Sequence, residues 1–205
     1  MENKVLKFYL EASKLKEAIR TGWDEVGIPS EKIESVAEHV FGCLALTIGI
    51  CSEYDYSSLD LLKVFKMLFV KELTKKDNKE QSILNKEDRV ALNKKCIKEL
   101  FEDLEDEEEY IALYEESLEL KTLEAKFALY VCKLESDIQA KKYEMNGDFT
   151  LENALKDVEC YPEDIKSEVK PQVENASDGW ILFDRRYYDD ANFIELSEDI
   201  QNLNR

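Results

Sequence analysis

Apolar residues recur every three or four positions along most of this 205-residue chain, which is the spacing of one face of an α-helix. Only six glycines and three prolines interrupt these runs, and Leu, Lys and Glu dominate between them, as in helical proteins. The pattern therefore predicts an all-α fold. The predicted helices cover residues 4–20, 30–54, 59–75, 87–104, 107–119, 122–143, 151–160, 162–173 and 192–203.

Short polar or glycine-containing stretches separate the predicted helices. Thr21-Gly22-Trp23 ends the first helix, and Asn146-Gly147-Asp148 ends the strong helix over residues 122–143. Residues 76–86 are charged and polar, so we interpret them as a loop. Ser30 has the residue type of a helix N-cap, but Ile33 stands where a capping box requires Glu or Gln.

Charge and composition exclude several classes of partner. The chain has 28 basic and 46 acidic residues and a net charge of −18, which opposes binding to nucleic-acid backbones and anionic membranes. No run approaches the ~18 uninterrupted apolar residues of a membrane span, and the first residues do not lead into a signal-peptide core. We therefore expect a cytoplasmic protein that binds neither nucleic acid nor membrane.

The cysteines do not form a recognisable framework. They are odd in number, widely spaced and without CxxC pairs, which indicates neither a set of disulfides nor a zinc knuckle. Free cysteine is among the most frequently buried residue types, so we predict reduced thiols in the core. The five are Cys43, Cys51, Cys96, Cys132 and Cys160.

Two motifs carry a family resemblance. Arg20-Thr21-Gly22-Trp23, followed by Glu34-Ser35-Val36-Ala37-Glu38-His39, resembles the opening of HD-domain phosphohydrolases of the 5′-deoxynucleotidase type. The similarity continues through residues 64–70 and resumes at Leu123-Glu124-Ala125-Lys126-Phe127, covering roughly residues 10–145. The resemblance implies an HD-domain helical bundle.

The same resemblance implies a division of the chain. We expect the HD-like helical domain to cover residues 1–145 and a C-terminal helical extension to cover residues 146–205. The extension is expected to pack on the same domain rather than to form a second one.

The resemblance also implies a metal site. In the family, one histidine, a His-Asp pair and a later aspartate bind a divalent cation that generates hydroxide and neutralises phosphate charge. His39 matches the first ligand, Lys71 and Glu72 stand at the His-Asp pair, and Cys132 stands at the late aspartate. Lys75 replaces the glutamate that follows the pair in active relatives. Only one of the four ligand positions is unchanged.

These replacements change the expected chemistry. His39 is the only histidine in the chain, and a protonated Lys71 repels a divalent cation instead of binding it. We expect no bound metal and no cofactor, and we hypothesise that Lys71 fills the metal position and pairs with Glu72. The alternative is a site with His39 and Glu72 as ligands, joined by Glu38 and Cys132, that binds Mn, Co or Zn.

Three further residues are candidates for ligand binding. Related nucleotidases use an arginine and a tryptophan from this region to hold the phosphate and shape the sugar pocket, which implies this role for Arg20 and Trp23, with Glu38 beside them. In the competing interpretation Trp23 is a core anchor and Arg20 pairs with a nearby acid.

Three functions follow from these observations. The first is a catalytically impaired HD protein that retains a pocket for a nucleotide or a phosphorylated small molecule. The second is an active metal-dependent phosphohydrolase of deoxynucleoside 5′-monophosphates. The third is a scaffold that forms homodimers, as relatives commonly do, through aromatic residues of the tail. Those residues are Trp180, Phe183, Tyr187, Tyr188 and Phe193.

Overall fold

The computed structural model of this protein describes residues 3–77, 85–105 and 107–203. Within these ranges the regular structure is helical, apart from one isolated antiparallel bridge between Ile19 and Ser35. The predicted all-α class is therefore confirmed. The eleven α-helices of the described residues are α1 Lys4–Ala12, α2 Thr21–Glu25, α3 Val36–Glu53, α4 Leu61–Leu73, α5 Lys86–Phe101, α6 Glu107–Glu119, α7 Leu123–Asn146, α8 Leu151–Val158, α9 Glu163–Val169, α10 Asp178–Arg185 and α11 Ala191–Gln201.

The first predicted helix is shorter than its apolar pattern suggested. Helix α1 ends at Ala12 and a 3-10 turn follows over Ser13–Lys16. Beyond it the chain pairs with a distant segment, since the Arg20 amide donates to the Glu34 carbonyl at 3.1 Å. This backbone pairing satisfies groups that a continued helix would have used, so the prediction of one helix over residues 4–20 is wrong.

The start of α3 corrects a second prediction. Ser30–Lys32 forms a 3-10 turn, and the α-helix begins only at Val36 with Ser35 as its N-cap. Ser35 and Glu38 form a complete capping box, an arrangement that Ser30 cannot make with Ile33.

The later helices follow the prediction with one exception. Helix α6 has the predicted bounds, and α7 ends just before Gly147, whose φ of +78° is a conformation that glycine adopts readily. Helix α10 was not predicted. Of the predicted loop over residues 76–86, residues 78–84 lie outside the described residues.

The chain divides into two units, each with its own core. The first comprises Met1–Thr21 and Glu34–Leu129, and the second comprises Gly22–Ile33 and Tyr130–Arg205. In the first unit α4 packs against α3 and α6 and buries its apolar face, including Val64 and Met67. In the second unit the core forms around Trp23. The expected boundary between residues 145 and 146 stays a prediction.

Helix α3 is unusually apolar. Its 18 residues have a mean hydropathy of 1.3, so length and composition alone would allow it to cross a membrane. Its apolar run is interrupted by Glu38 and His39, and its buried stripe includes His39, Cys43 and Thr47. The buried side of α3 therefore carries polar side chains.

The cysteines divide by burial. Cys43 and Cys132 are buried, Cys51 and Cys96 are partly buried, and Cys160 is exposed; all five are unbridged. The prediction of core thiols is therefore wrong for Cys160, which lies just after the end of α8.

Candidate functional site

His39 lies on the buried side of α3. Val36, His39, Cys43, Thr47 and Ile50 form its buried stripe, with the spacing of a helix face directed at the core. The imidazole is 1% exposed. The Cys43 sulfur lies 3.6 Å from Nε2 and 3.9 Å from Nδ1 of His39, so a thiol one turn along the helix contacts the ring.

Glu72 lies in the last turn of α4 and forms a buried ion pair. Its side chain is 1% exposed, and the Lys75 ammonium is 2.9 Å from Oε1 and 2.7 Å from Oε2. Lys75 stands three residues later, in the 3-10 turn that follows α4. One ammonium therefore contacts both oxygens of a carboxylate that solvent scarcely reaches.

The surroundings of Glu72 keep it ionised. Burial by itself raises the pKa of this carboxyl, but the opposing charges of Lys75, His39 and Lys71 lower the pKa to about 2. His39, Lys71, Glu72 and Lys75 thus share one electrostatic environment in the first unit. Lys75, which was not expected to contact Glu72, makes this ion pair, and Lys71 adds to the positive potential; the expected pairing of Lys71 with Glu72 stays a prediction.

A second ion pair lies beside His39. The Arg20 guanidinium donates to the Glu34 carboxylate at 2.6 Å, and the two side chains are 17% and 7% exposed. A carboxylate oxygen of Glu34 lies within 4.8 Å of a ring nitrogen of His39. Glu34 therefore belongs to the site, although it was not among the residues predicted from the sequence. The available signal was an acid inside the same motif as His39, with Arg20 in the motif before it.

The remaining candidate residues have structural contacts. The Glu38 carboxylate accepts hydrogen bonds from the Ser35 amide at 2.6 Å and the Ser35 hydroxyl at 2.8 Å, which caps α3. Trp23 lies in the second unit, is 1% exposed and stacks on Trp180 with ring centroids 4.3 Å apart. These contacts agree with the interpretation of Trp23 as a core anchor. Cys132 is also in the second unit and is buried.

Three buried residues of the first unit carry donor atoms of types that bind metals: His39, Cys43 and Glu34. Their surroundings nevertheless do not fit a divalent cation of the HD type. The Lys75 ammonium lies against both oxygens of Glu72, and Glu34 is already paired with Arg20. To bind these carboxylates, a cation would have to displace the Lys75 ammonium from Glu72 and compete with the Arg20 guanidinium for Glu34.

The fold and this arrangement define a class: an all-α domain with a buried histidine on one core helix and a charged pair at the end of the next. The sequence matches the HD domain family over residues 12–198, and the chain belongs to that family. The expected HD-domain bundle is thereby confirmed. No curated protein matches the chain.

Several solved structures share the fold. A conserved hypothetical protein from Pyrococcus furiosus has a TM-score of 0.62 and 24% identity, with 97% of this chain and 99% of that chain covered. A protein from Pyrococcus horikoshii OT3 has a TM-score of 0.58 and 23% identity over 82% and 99%. A predicted metal-dependent phosphohydrolase from Magnetospirillum magnetotacticum MS-1 has a TM-score of 0.57 and 18% identity over 97% and 94%. At such identities the likeness concerns the fold.

Proposed function

We propose that this chain is an HD-domain protein related to 5′-deoxynucleotidases in which an internal ion pair has replaced the divalent cation. In this proposal it binds a nucleotide or another phosphorylated small molecule and hydrolyses it poorly or not at all. The observation that carries the proposal is the contact of the Lys75 ammonium with both oxygens of the buried Glu72 carboxylate.

Electrostatics supports this replacement. A buried carboxylate without a counter-charge is costly, and Lys75 supplies that charge from within the chain. A divalent cation about 4 Å from one ammonium would meet a repulsion of roughly 8 kcal/mol at an effective dielectric constant of ~20. Lys71 adds a second positive charge near Glu72. Metal affinity should therefore be low.

The loss of metal removes the main source of catalysis in this type of site. A bound cation lowers the pKa of its water ligand and so supplies hydroxide near neutral pH. Without it, the chain has a single imidazole, that of His39, and the ring is in contact with Cys43. Binding of a phosphorylated ligand requires only donors and positive charge, and so can outlast hydrolysis.

An active metal-dependent phosphohydrolase is the second candidate. The buried Cys43 thiol and the buried Glu34 carboxylate each lie near a ring nitrogen of His39 and favour it, and a thiol ligand would suit Zn more than Mn or Co. The ion pairs of Glu72 and Glu34 count against it.

A scaffold role through homodimers has its own supporting observation. The outer face of α1 carries four exposed apolar side chains: Val5, Leu6, Tyr9 and Leu10. The tail aromatics expected to serve this role are mostly engaged within the second unit, where Phe193 is fully buried and Trp180 stacks on Trp23. A cytoplasmic location and association as a homodimer remain part of the proposal.

A turnover screen distinguishes these functions. Phosphate release from deoxynucleoside 5′-monophosphates is measured with added Mn, Co or Zn, and binding of the same nucleotides is measured by calorimetry. We expect binding without appreciable turnover. Robust metal-dependent turnover that is abolished by His39→Ala would overturn the proposal in favour of the active enzyme. If the protein neither binds nor hydrolyses these nucleotides, the scaffold role is the function that remains.

A further inference from the structure

A carboxyl group in the core of the second unit has an unsatisfied oxygen. Asp137 of α7 is fully buried, and its Oδ2 accepts a hydrogen bond from the Tyr188 hydroxyl at 3.2 Å. Its Oδ1 is also buried and has no hydrogen-bond partner among the described residues. Ionising a carboxyl group whose second oxygen lacks a partner is costly in a protein interior, so this position favours the neutral acid.

An ammonium group one helical turn away is paired with a different acid. Lys133 precedes Asp137 by four residues on α7, so the two side chains lie on the same face of the helix. The Lys133 Nζ forms an ion pair with Asp184 of α10 at 2.6 Å, and the two side chains are 18% and 9% exposed. The same Nζ lies 3.9 Å from the centroid of the Tyr187 ring.

The two acids lie side by side. Asp184, which holds Lys133, precedes Tyr188 by four residues, and Tyr188 donates to Asp137. The electrostatics agree with this placement, because burial raises the pKa of Asp137, the charge of Asp184 adds to the rise, and Tyr188 and Lys133 oppose it. Two buried carboxyl groups therefore compete for one ammonium.

Other charged and titratable groups around Asp137 are held by partners of their own in the second unit. These pairs are Arg185 of α10 with Ser197 and Gln201, Lys141 of α7 with Glu144, and Tyr161 with Asp157. Lys133 differs from these groups because its partner is the acid beside Asp137. It can therefore change partners within one turn of its own helix.

We propose that Lys133 is the moving part of a pH-sensitive switch in the second unit. Its ammonium pairs with Asp184 while Asp137 is protonated, and it moves to the open Oδ1 when Asp137 releases its proton to solvent. Because the carboxyl group is neutral at low pH, the switch operates as the pH rises. It does not depend on the proposed function, because Glu72 and Lys75 lie in the first unit.

The end of α10 is the element that responds. Asp184 lies in the last turn of this helix, where a carboxylate without a cation is unfavourable because the helix dipole is negative there. Departure of Lys133 also removes the cation from the Tyr187 ring, which is 45% exposed. A rise in pH should therefore loosen the last turn of α10 and change the surroundings of Tyr187.

The experiment follows carbon-13 NMR signals of the Asp137 carboxyl, the Lys133 Cε and the Tyr187 ring in the full chain from about pH 4 to 9. We expect the Lys133 and Tyr187 signals to move with the same midpoint as the Asp137 carboxyl. Asp137→Asn keeps the shape of the side chain and an acceptor for the Tyr188 hydroxyl, and it should abolish this movement.

The matched control is Glu152→Gln. It also removes an acid four residues from a lysine, Lys156, but at side chains that are 78% and 70% exposed. This variant should leave the movement of the Lys133 and Tyr187 signals unchanged. In a further variant, Lys133→Met, the Asp137 midpoint should rise because an opposing positive charge is lost.

Three outcomes would overturn the switch. The first is an Asp137 carboxyl that does not titrate in this range. The second is an Asp137 carboxyl that titrates while the Lys133 and Tyr187 signals stay constant. The third is movement of those signals that persists in Asp137→Asn. If Lys133→Met does not fold, Asp137→Asn and its control decide the result alone.

Discussion

Removing the Lys75 ammonium tests the internal ion pair directly. Lys75→Met keeps most of the side-chain stem but leaves Glu72, which is 1% exposed, without the partner that contacts both of its oxygens. The Glu72 pKa of about 2, against an ordinary value of 4.5, corresponds to roughly 3 kcal/mol of net stabilisation of the charged form. Loss of one partner from a buried pair costs about 3–5 kcal/mol.

We expect the variant to lose about 2–3 kcal/mol of unfolding free energy at pH 7. This loss is smaller than that of a fully buried pair, because the Lys75 side chain is 35% exposed and solvent screens part of the attraction. At about 2–4 °C per kcal/mol for a chain of this size, the melting temperature should fall by roughly 4–12 °C. Urea unfolding followed by circular dichroism measures the free energy.

The pH dependence has a definite sign. The pKa of Glu72 is lowered in the folded state, so its stabilisation is fully present above about pH 4.5 and is lost as the pH falls towards 2. The difference between wild type and Lys75→Met should therefore shrink on acidification. Lys95→Met, at a side chain that is 72% exposed, serves as the control. Equal stability of wild type and Lys75→Met at pH 7 would refute the reasoning.

Three further predictions concern positions outside this ion pair. Asp137 is fully buried and its Oδ1 has no partner; burial, with Asp184 adding to it, raises the pKa of Asp137 well above its usual value. The free-energy cost of burying the ionised Asp137 carboxylate therefore grows as the pH rises from about 4 through the raised pKa. Asp137→Asn should have a higher melting temperature than wild type at pH 8 and a similar one at pH 4. Melting curves at both pH values test this. Gly27 has a φ of +84°, and a Cβ there would lie 2.5 Å from Asn153 Nδ2, so Gly27→Ala should cost at least ~1 kcal/mol in urea unfolding. Gly49→Ala has open space within α3 and should raise stability by roughly 0.5–1 kcal/mol in the same assay, because alanine favours a helix.

Periodicity predicted the helices whose one face is buried along their whole length. Helix α6 and most of α4 and α7 follow from it. The pattern failed at residues 17–20 because a backbone pairing with residues 34–36 interrupts the helix. Such long-range pairing leaves no trace in local spacing.

The ion pair at Glu72 can be predicted from the sequence. Lys71 is the adjacent residue and so is rotated about 100° around the helix from Glu72, whereas Lys75 is three positions on and shares its face. Helical spacing of the charged residues therefore predicts a contact between Lys75 and Glu72. The pair of Arg20 with Glu34 was not accessible in this way, because the two residues meet across an extended backbone pairing.

Metal stoichiometry tests the central claim most directly. Protein purified without an affinity tag is equilibrated with Mn, Co and Zn, passed through gel filtration and assayed for metal per chain, beside the variant Lys71→His/Glu72→Asp/Lys75→Glu/Cys132→Asp, which restores the expected family ligands. The internal ion pair predicts well under about 0.1 ion per wild-type chain and a higher content in the restored variant. One tightly bound ion per wild-type chain would contradict it.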